Sequence, residues 1–286
     1  MNRILQCGSY QLDLSRPNVM GILNVTPDSF SDGGQHAQLD RAVQHALEMQ
    51  QRGAAIIDVG GESTRPGAAE VTEQQELDRV IPVIEKLLGL LEIPISIDTS
   101  KPVVMQAAMA AGASMVNDVM ALQQPGALEV VAAADPSIAV CLMHMQGLPR
   151  TMQQAPSYKD VTTEVLDFLL QRVAKCELAG ISRDRIVLDP GFGFGKSLQH
   201  NLTLLAGLQR FSSSRLPLLV GISRKSMIGA ILGDVPVDQR LFGSIAAAVM
   251  AFERGASILR VHDVKQTVEA LKIADAVIKI STEGSE

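Results

Sequence analysis

ISIDTSKPVVMQAAMAAGASMVN, residues 95–117, decides the fold. Ile95 to Ile97 is a short apolar run that stops abruptly at Asp98. Ser100-Lys101-Pro102 reads as a Ser-type cap with a proline near the first turn, opening a helix over Pro102–Ala111 that Gly112 closes. Met115 and Val116 begin a second apolar run, which stops at Asn117. The order is strand, polar tip, loop, helix, glycine, strand, and it recurs along the chain in both directions.

Upstream, Val19–Leu23 stops at Asn24, and Ile56–Val59 leads to Glu62 and Arg65. Downstream, Ile138–Met143 stops at His144, Ile186–Leu188 at Asp189, and Leu218–Ile222 at Ser223-Arg224-Lys225. Ile258–Val261 carries Arg260 and stops at His262, which brings the runs to eight. Continuous apolar runs with helical stretches between them are the signature of a parallel sheet buried on both faces. Eight of them predict an α/β fold, a (β/α)8 TIM barrel, whose strands deliver every polar tip to one face. The expected helices are Leu39–Gln51, Thr72–Leu91, Pro102–Ala111, Gly126–Ala134, Asp160–Ala179, Gln199–Leu208, Asp238–Arg254 and Val264–Ile280. Gly53, Gly112, Gly180 and Gly255 each follow a helix end and precede a strand. Residues 1–16 hold a short hairpin, Ile4–Leu14 broken at Gly8-Ser9, placed to cap the barrel floor. No linker divides residues 1–286, so one domain is expected. The longest irregular stretches, 25–38 and 60–70, follow the first and second strands; they are either mobile catalytic loops over the site or plain solvated loops.

Composition narrows the function. The chain is 47% hydrophobic but only 3% aromatic, so Ala, Val, Ile, Leu and Met build the core. A net charge of −6 argues against nucleic-acid and membrane partners, and an anionic substrate would need local cations. Cys7, Cys141 and Cys176 are odd in number and widely spaced, which suggests reduced thiols in a cytoplasmic protein. Met1–Pro17 is too polar for a signal peptide, and no apolar run approaches a membrane span.

The glycine-rich DPGFGFGKS from Asp189 invites a nucleotide-loop reading and fails it. Pro190 stands where a phosphate loop needs glycine, and no acidic residue between Gly191 and Asp234 could hold a ribose. The glycines instead allow a tight turn after a strand, so that Asp189 and Phe194 face a ligand. Asp98, Asn117 and Asp189 form a carboxylate and amide set at three strand ends, suited to the adjacent N–H donors of an amino-pyrimidinone edge. Each alone could equally be a helix cap. Ser223-Arg224-Lys225, Arg260 and His262 put cations where barrels often bind phosphate. For Arg260, inside an apolar run, the alternatives are a bound anion or a buried carboxylate such as Asp263 or Glu62. Asn24 offers one neutral oxygen, which suits Mg²⁺ held mainly by water and substrate phosphates. No Ser/His/Asp or Cys/His spacing is apparent, which favours a reaction that positions reactants and stabilises a leaving group.

Longer strings carry a family resemblance. MGILNVTPDSFSDGG from Met20, GGESTRPGA from Gly60, SIDTSKPVV from Ser96 and VNDV from Val116 closely resemble dihydropteroate synthases. So do CLMHMQG from Cys141, LDPGFGFGK from Leu188, GISRKS from Gly221 and RVHDV from Arg260. The resemblance implies a homodimeric, Mg²⁺-using barrel that condenses 6-hydroxymethyl-7,8-dihydropterin diphosphate with 4-aminobenzoate in folate synthesis and is a sulfonamide target. By motif position it implies that Asp98, Asn117, Asp189 and Lys225 hold the pterin, with Met143 packing and Arg260 stacking on its ring. Asn24, Arg260 and His262 would hold the diphosphate and Mg²⁺. Thr64, Arg65, Pro66, Phe194, Ser223 and Lys225 would shape the 4-aminobenzoate site, with Phe30 and Arg65 on the two loops. Asp98, Lys225, Arg260, His262 and Arg65 are the expected catalytic group, acting on an SN1-like cleavage. The competing readings are a pterin-binding methyltransferase of the same superfamily and a non-catalytic pterin-binding protein.

Overall fold

In the computed structural model, residues 4–26, 35–63, 70–147 and 151–283 are described, apart from the side chains of 35, 36 and 281–283. Strands β1 (Ile4–Cys7) and β2 (Tyr10–Asp13) form the expected hairpin, turning at Gly8 with φ +60°. The other eight strands are β3 (Asn18–Asn24), β4 (Ile56–Gly60), β5 (Ile95–Asp98), β6 (Met115–Asp118), β7 (Ala139–Met143), β8 (Ile186–Asp189), β9 (Leu219–Val220) and β10 (Ile258–Val261). They pair in parallel in the order β8-β7-β6-β5-β4-β3-β10-β9, and the Leu188–Leu218 bridge joins the two ends into a barrel. The seventh run forms only two ladder residues, Leu219 and Val220, rather than the Leu218–Ile222 expected.

Helices α1 (Gln35–Gln51), α2 (Glu73–Leu88), α3 (Pro102–Ala110), α4 (Ala127–Ala133), α5 (Val161–Leu178), α6 (Leu198–Ala206), α8 (Leu241–Glu253) and α9 (Val264–Glu283) match the expected set to within a few residues. A short α7 (Ser226–Ile231) was not foreseen, because six residues are too few to display a helical period. Nor does Ser100 cap α3: Lys101 takes the cap position without a side-chain bond to the helix. Gly53, Gly112, Gly180 and Gly255 all adopt positive φ, from +92° to +115°, as helix-ending glycines between helix and strand should.

The period-2 alternation of the strands places the site. One phase, with Ile57, Ile97, Val116, Val140, Leu188 and Leu259, faces the helices and joins the main core. The opposite phase points into the barrel. Its lower level is apolar: Met20, Ile56, Met115, Ala139, Cys141, Val187, Leu219 and Ile258 pack with Leu5, Cys7 and Leu12 of the hairpin. The hairpin therefore seals the floor, as expected. One step up, at the same phase, five of the strands carry Asp58, Asp98, Asn117, Asp189 and Arg260.

Candidate active site

Register aligns the mouth of the barrel. Asn24 pairs with Gly60, Gly60 with Asp98, Asp98 with Asn117, and Met143 with Asp189. Gly60 is the low point of this row: a Cβ there would lie 3.8 Å from Asn24 Oδ1 and 3.6 Å from Asp98 Cβ. The missing side chain keeps Asn24 and Asp98 facing a shared space.

Arg260 organises the centre. Its Nε donates to Asp58 Oδ2 at 2.6 Å and its Nη2 to Asp98 Oδ2 at 2.6 Å. Asn117 Nδ2 donates to the same Asp58 oxygen at 3.1 Å. The carboxylates proposed from sequence as Arg260's alternative partners are committed elsewhere. Asp263 binds Arg224 in a two-pronged pair, and Glu62 binds Lys101 Nζ at 2.5 Å. Arg224 thus ties the seventh and eighth loops together and is not one of the cations at the mouth.

Asp58 was overlooked in the sequence, although a carboxylate inside the apolar run Ile56–Val59 is a signal in itself. It is completely buried, and its Oδ1 has no hydrogen-bond partner. Two carboxyl groups share one guanidinium here, so ionising both would leave surplus negative charge. Burial pushes Asp98 up to about 7 against the pull of Arg260, and Asp58 adds like-charge repulsion. Asp189 is pushed up to about 6 by burial, despite an N–H bond from Gly191 at 2.7 Å and the nearby charges of Lys225, Arg260 and Lys196.

A second group lies beside the first. Lys225 Nζ sits 4.1 Å from the centroid of the Phe194 ring, a cation–π contact. Phe194 clusters with Met143, Met152 and Val119, making an apolar wall against the polar row. Ser223 Oγ lies 3.0 Å from His262 Nδ1 and accepts from the His262 backbone N–H at 3.2 Å. With the hydroxyl donating to Nδ1, the ring proton belongs on Nε2, a donor suited to an anion. Phe30, Thr64, Arg65 and Pro66 lie outside the described residues.

Among the described residues no group of three or more His, Cys, Asp or Glu could hold a metal. Asn24 Oδ1 at the open Gly60 position is a single neutral oxygen. That donor set fits Mg²⁺ carried with its own waters and phosphate ligands, and not a protein-built cage. No helix among the described residues is long and apolar enough to cross a membrane.

An apolar floor beneath converging carboxylates, an amide and a guanidinium, with an aromatic wall and further cations at the C-terminal ends of the strands, defines a barrel enzyme for a flat, polar-edged substrate. The sequence matches the family described as "Pterin binding enzyme" over residues 20–262. It is 58% identical over 267 residues to dihydropteroate synthase of Escherichia coli (strain K12), covering 93% of this chain and 94% of that one. Among solved structures, the Yersinia pestis dihydropteroate synthase in a sulfonamide drug complex matches with a TM-score of 0.91 and 55% identity, over 96% of this chain and 99% of that one. The Xanthomonas albilineans dihydropteroate synthase with 4-aminobenzoic acid matches with a TM-score of 0.90 and 51% identity, over 97% and 98%. The chain belongs to the dihydropteroate synthase family of pterin-binding enzymes, and is a transferase.

Proposed function

We propose that the chain condenses 6-hydroxymethyl-7,8-dihydropterin diphosphate with 4-aminobenzoate, giving 7,8-dihydropteroate and pyrophosphate. The observation that carries this reading is the single interior level shared by Asp98, Asn117, Asp189, Asp58 and Arg260. An amino-pyrimidinone edge presents adjacent donors to Asp98 and Asp189, while Arg260 and Met143 flank the ring. Breaking the methylene C–O bond sends its electron pair to pyrophosphate and leaves a cation on the methylene carbon. The buried carboxylates favour that cation, and Arg260 and His262 Nε2–H favour the departing anion. The arylamine lone pair then forms the C–N bond, and the amine's proton leaves. A neutral arylamine needs no strong base. Asn24 would hold Mg²⁺ with the diphosphate; when bound, the ion neutralises charge on the leaving group.

Phe194, Ser223 and Lys225 form the described part of the 4-aminobenzoate site, with Thr64, Arg65, Pro66 and Phe30 completing it from the two loops. The arylamine and sulfonamide bound by the Xanthomonas and Yersinia relatives support that choice of nucleophile and drug class. Closure of the loops would keep water from the SN1-like cation. A cytoplasmic setting agrees with three buried, free thiols. A homodimer is supported by apolar side chains left exposed on α8 and α9, Phe242, Ile273 and Ile280. Supplying dihydropterin diphosphate, Mg²⁺ and labelled 4-aminobenzoate tests the reaction directly. Labelled dihydropteroate is expected. Its absence, with pterin still bound, would point to the methyltransferase or the non-catalytic alternative.

A further inference from the structure

The glycine-rich turn buries one charged group that the reaction above does not use. Lys196 is 2% exposed. Its Nζ lies 2.9 Å from His144 Nδ1, 2.9 Å from the Gly191 carbonyl and 3.1 Å from the Phe194 carbonyl, with the His144 carbonyl at 3.4 Å. An ammonium has three donors and no lone pair, and the three nearest groups are acceptors. Burial lowers His144 to about 3, so its ring is neutral at neutral pH, and the Nε2-protonated tautomer leaves Nδ1 as the acceptor that this arrangement requires. All four partners are uncharged. A buried cation so held costs free energy that a methionine of similar length would not, and burial accordingly lowers Lys196 to about 7. Stability is therefore a poor account of why a lysine stands here.

Geometry offers a better one. The ammonium gathers two carbonyls from the turn and the ring of His144, which follows β7, onto a single point. The turn has no slack against that neighbour. A Cβ on Gly191 would lie 1.9 Å from the His144 carbonyl oxygen, and one on Gly195 2.3 Å from that of Gln146. Without a cation, the Gly191, Phe194 and His144 carbonyl oxygens would converge with nothing between them. The residue the turn presents is Phe194, whose ring carries Lys225 on its face. Asp189, by contrast, is held by its own strand.

We propose that Lys196 is a positioning residue: its Nζ clamps the 191–196 turn onto His144 and so sets Phe194, and Lys225 above it, for 4-aminobenzoate. The inference rests on the reading of Phe194 and Lys225 as part of the arylamine site. Lys196→Met keeps the length and removes the donors. It should raise KM for 4-aminobenzoate at least tenfold, with kcat and the affinity for dihydropterin diphosphate within about threefold of the parent. His144→Asn, whose amide oxygen replaces Nδ1 as acceptor, should stay within threefold on every parameter, whereas His144→Leu should move in the direction of Lys196→Met. Amide exchange gives a readout independent of turnover. The Gly193 N–H, bonded to Asn201 Oδ1 at 2.8 Å, and the Phe194 N–H, bonded to the Gly191 carbonyl at 3.1 Å, should exchange at least tenfold faster in Lys196→Met, while the barrel strands keep their protection. Equal loss for both substrates, or unchanged kinetics with unchanged exchange at 193 and 194, would overturn the proposal. Should Lys196→Met fail to fold, His144→Leu carries the same two readouts. If the parent protein makes no dihydropteroate, the functional reading fails, and the exchange measurement still decides whether Lys196 clamps the turn.

Discussion

Replacing Asp189 by Asn should make the protein more stable and less able to bind its pterin, and the size of the first effect can be worked out. Asp189 is 5% exposed, and burial raises its carboxyl from 3.8 to about 6 even with three cations nearby. A raised folded-state value means that the native chain holds a proton the unfolded chain releases between about pH 4 and pH 6. That contribution to stability is fully present below the lower value and is lost as pH rises through the upper one. At about 1.4 kcal/mol per unit, the ionised group costs up to about 3 kcal/mol at pH 7.5. Asn cannot ionise, yet its Oδ1 can still accept from the Gly191 N–H, now bonded at 2.7 Å. Its new amide donors need partners, so a net gain of about 1–2 kcal/mol is the reasonable expectation. For a domain of this size that is roughly 2–8 °C in Tm at about pH 7.5, shrinking toward zero near pH 4.5. Thermal unfolding at the two pH values measures it. The same variant should bind the dihydropterin at least about a hundredfold more weakly, since two charge-assisted bonds are lost. A variant less stable than the parent at pH 7.5, or an equal shift at both pH values, would refute the reasoning.

Three other expectations concern different parts of the site. Arg65→Ala should impair use of 4-aminobenzoate by tenfold or more and leave diphosphate binding within about threefold, read from separate saturation curves; equal effects on the two would count against the loop assignment. Gly191→Ala and Gly180→Ala share a positive φ, +68° and +92°, but the first puts a Cβ 1.9 Å from the His144 carbonyl oxygen while the second meets nothing within 4 Å. Denaturant unfolding should therefore show a cost of about 1–2 kcal/mol at Gly180 and clearly more at Gly191, and similar costs would mean that the close approach is not rigid. Chelating Mg²⁺ should lower turnover at least tenfold, restored by adding the ion back, with the folded state unchanged by circular dichroism; full activity after chelation would remove the role given to Asn24.

The barrel was legible because each βα unit repeats the same punctuation, and because strands buried on both faces leave continuous apolar runs. Where that signal was short, it failed: α7 has six residues, and β9 pairs over two. The site was legible where polar residues end a run, as at Asn24, Asp98, Asn117 and Asp189. It was opaque where they interrupt one. Arg260 stands out inside its run, but the sequence does not identify its partners, because Asp58 lies 202 residues away and only closure of β10 on β3 and β4 brings them together. In sequence Lys196 is one member of a glycine-rich string, and nothing local says that its Nζ points inward to His144.

The layering inside the barrel explains why this chemistry can be held where it is. Along four of the strands the inward phase changes from apolar to polar or charged in a single step: Ile56 to Asp58, Met115 to Asn117, Val187 to Asp189, Ile258 to Arg260. The lower level is packed against the hairpin and anchors the strands, so the upper level cannot relax to improve its own pairing. Asp58 keeps an oxygen without a partner, and Asp98 and Asp189 are held well above ordinary carboxylate values. Each of these is a cost to the free protein. A ligand with a donor edge relieves the cost at the carboxylates it meets, while its anionic tail meets the cations. On the proposed reaction path the relief grows further as positive charge develops at the methylene, because the carboxylates are already desolvated and fixed. The electrostatic strain that lowers folding stability is thus the same interaction that would favour the transition state, which is why Asp189→Asn should trade one for the other.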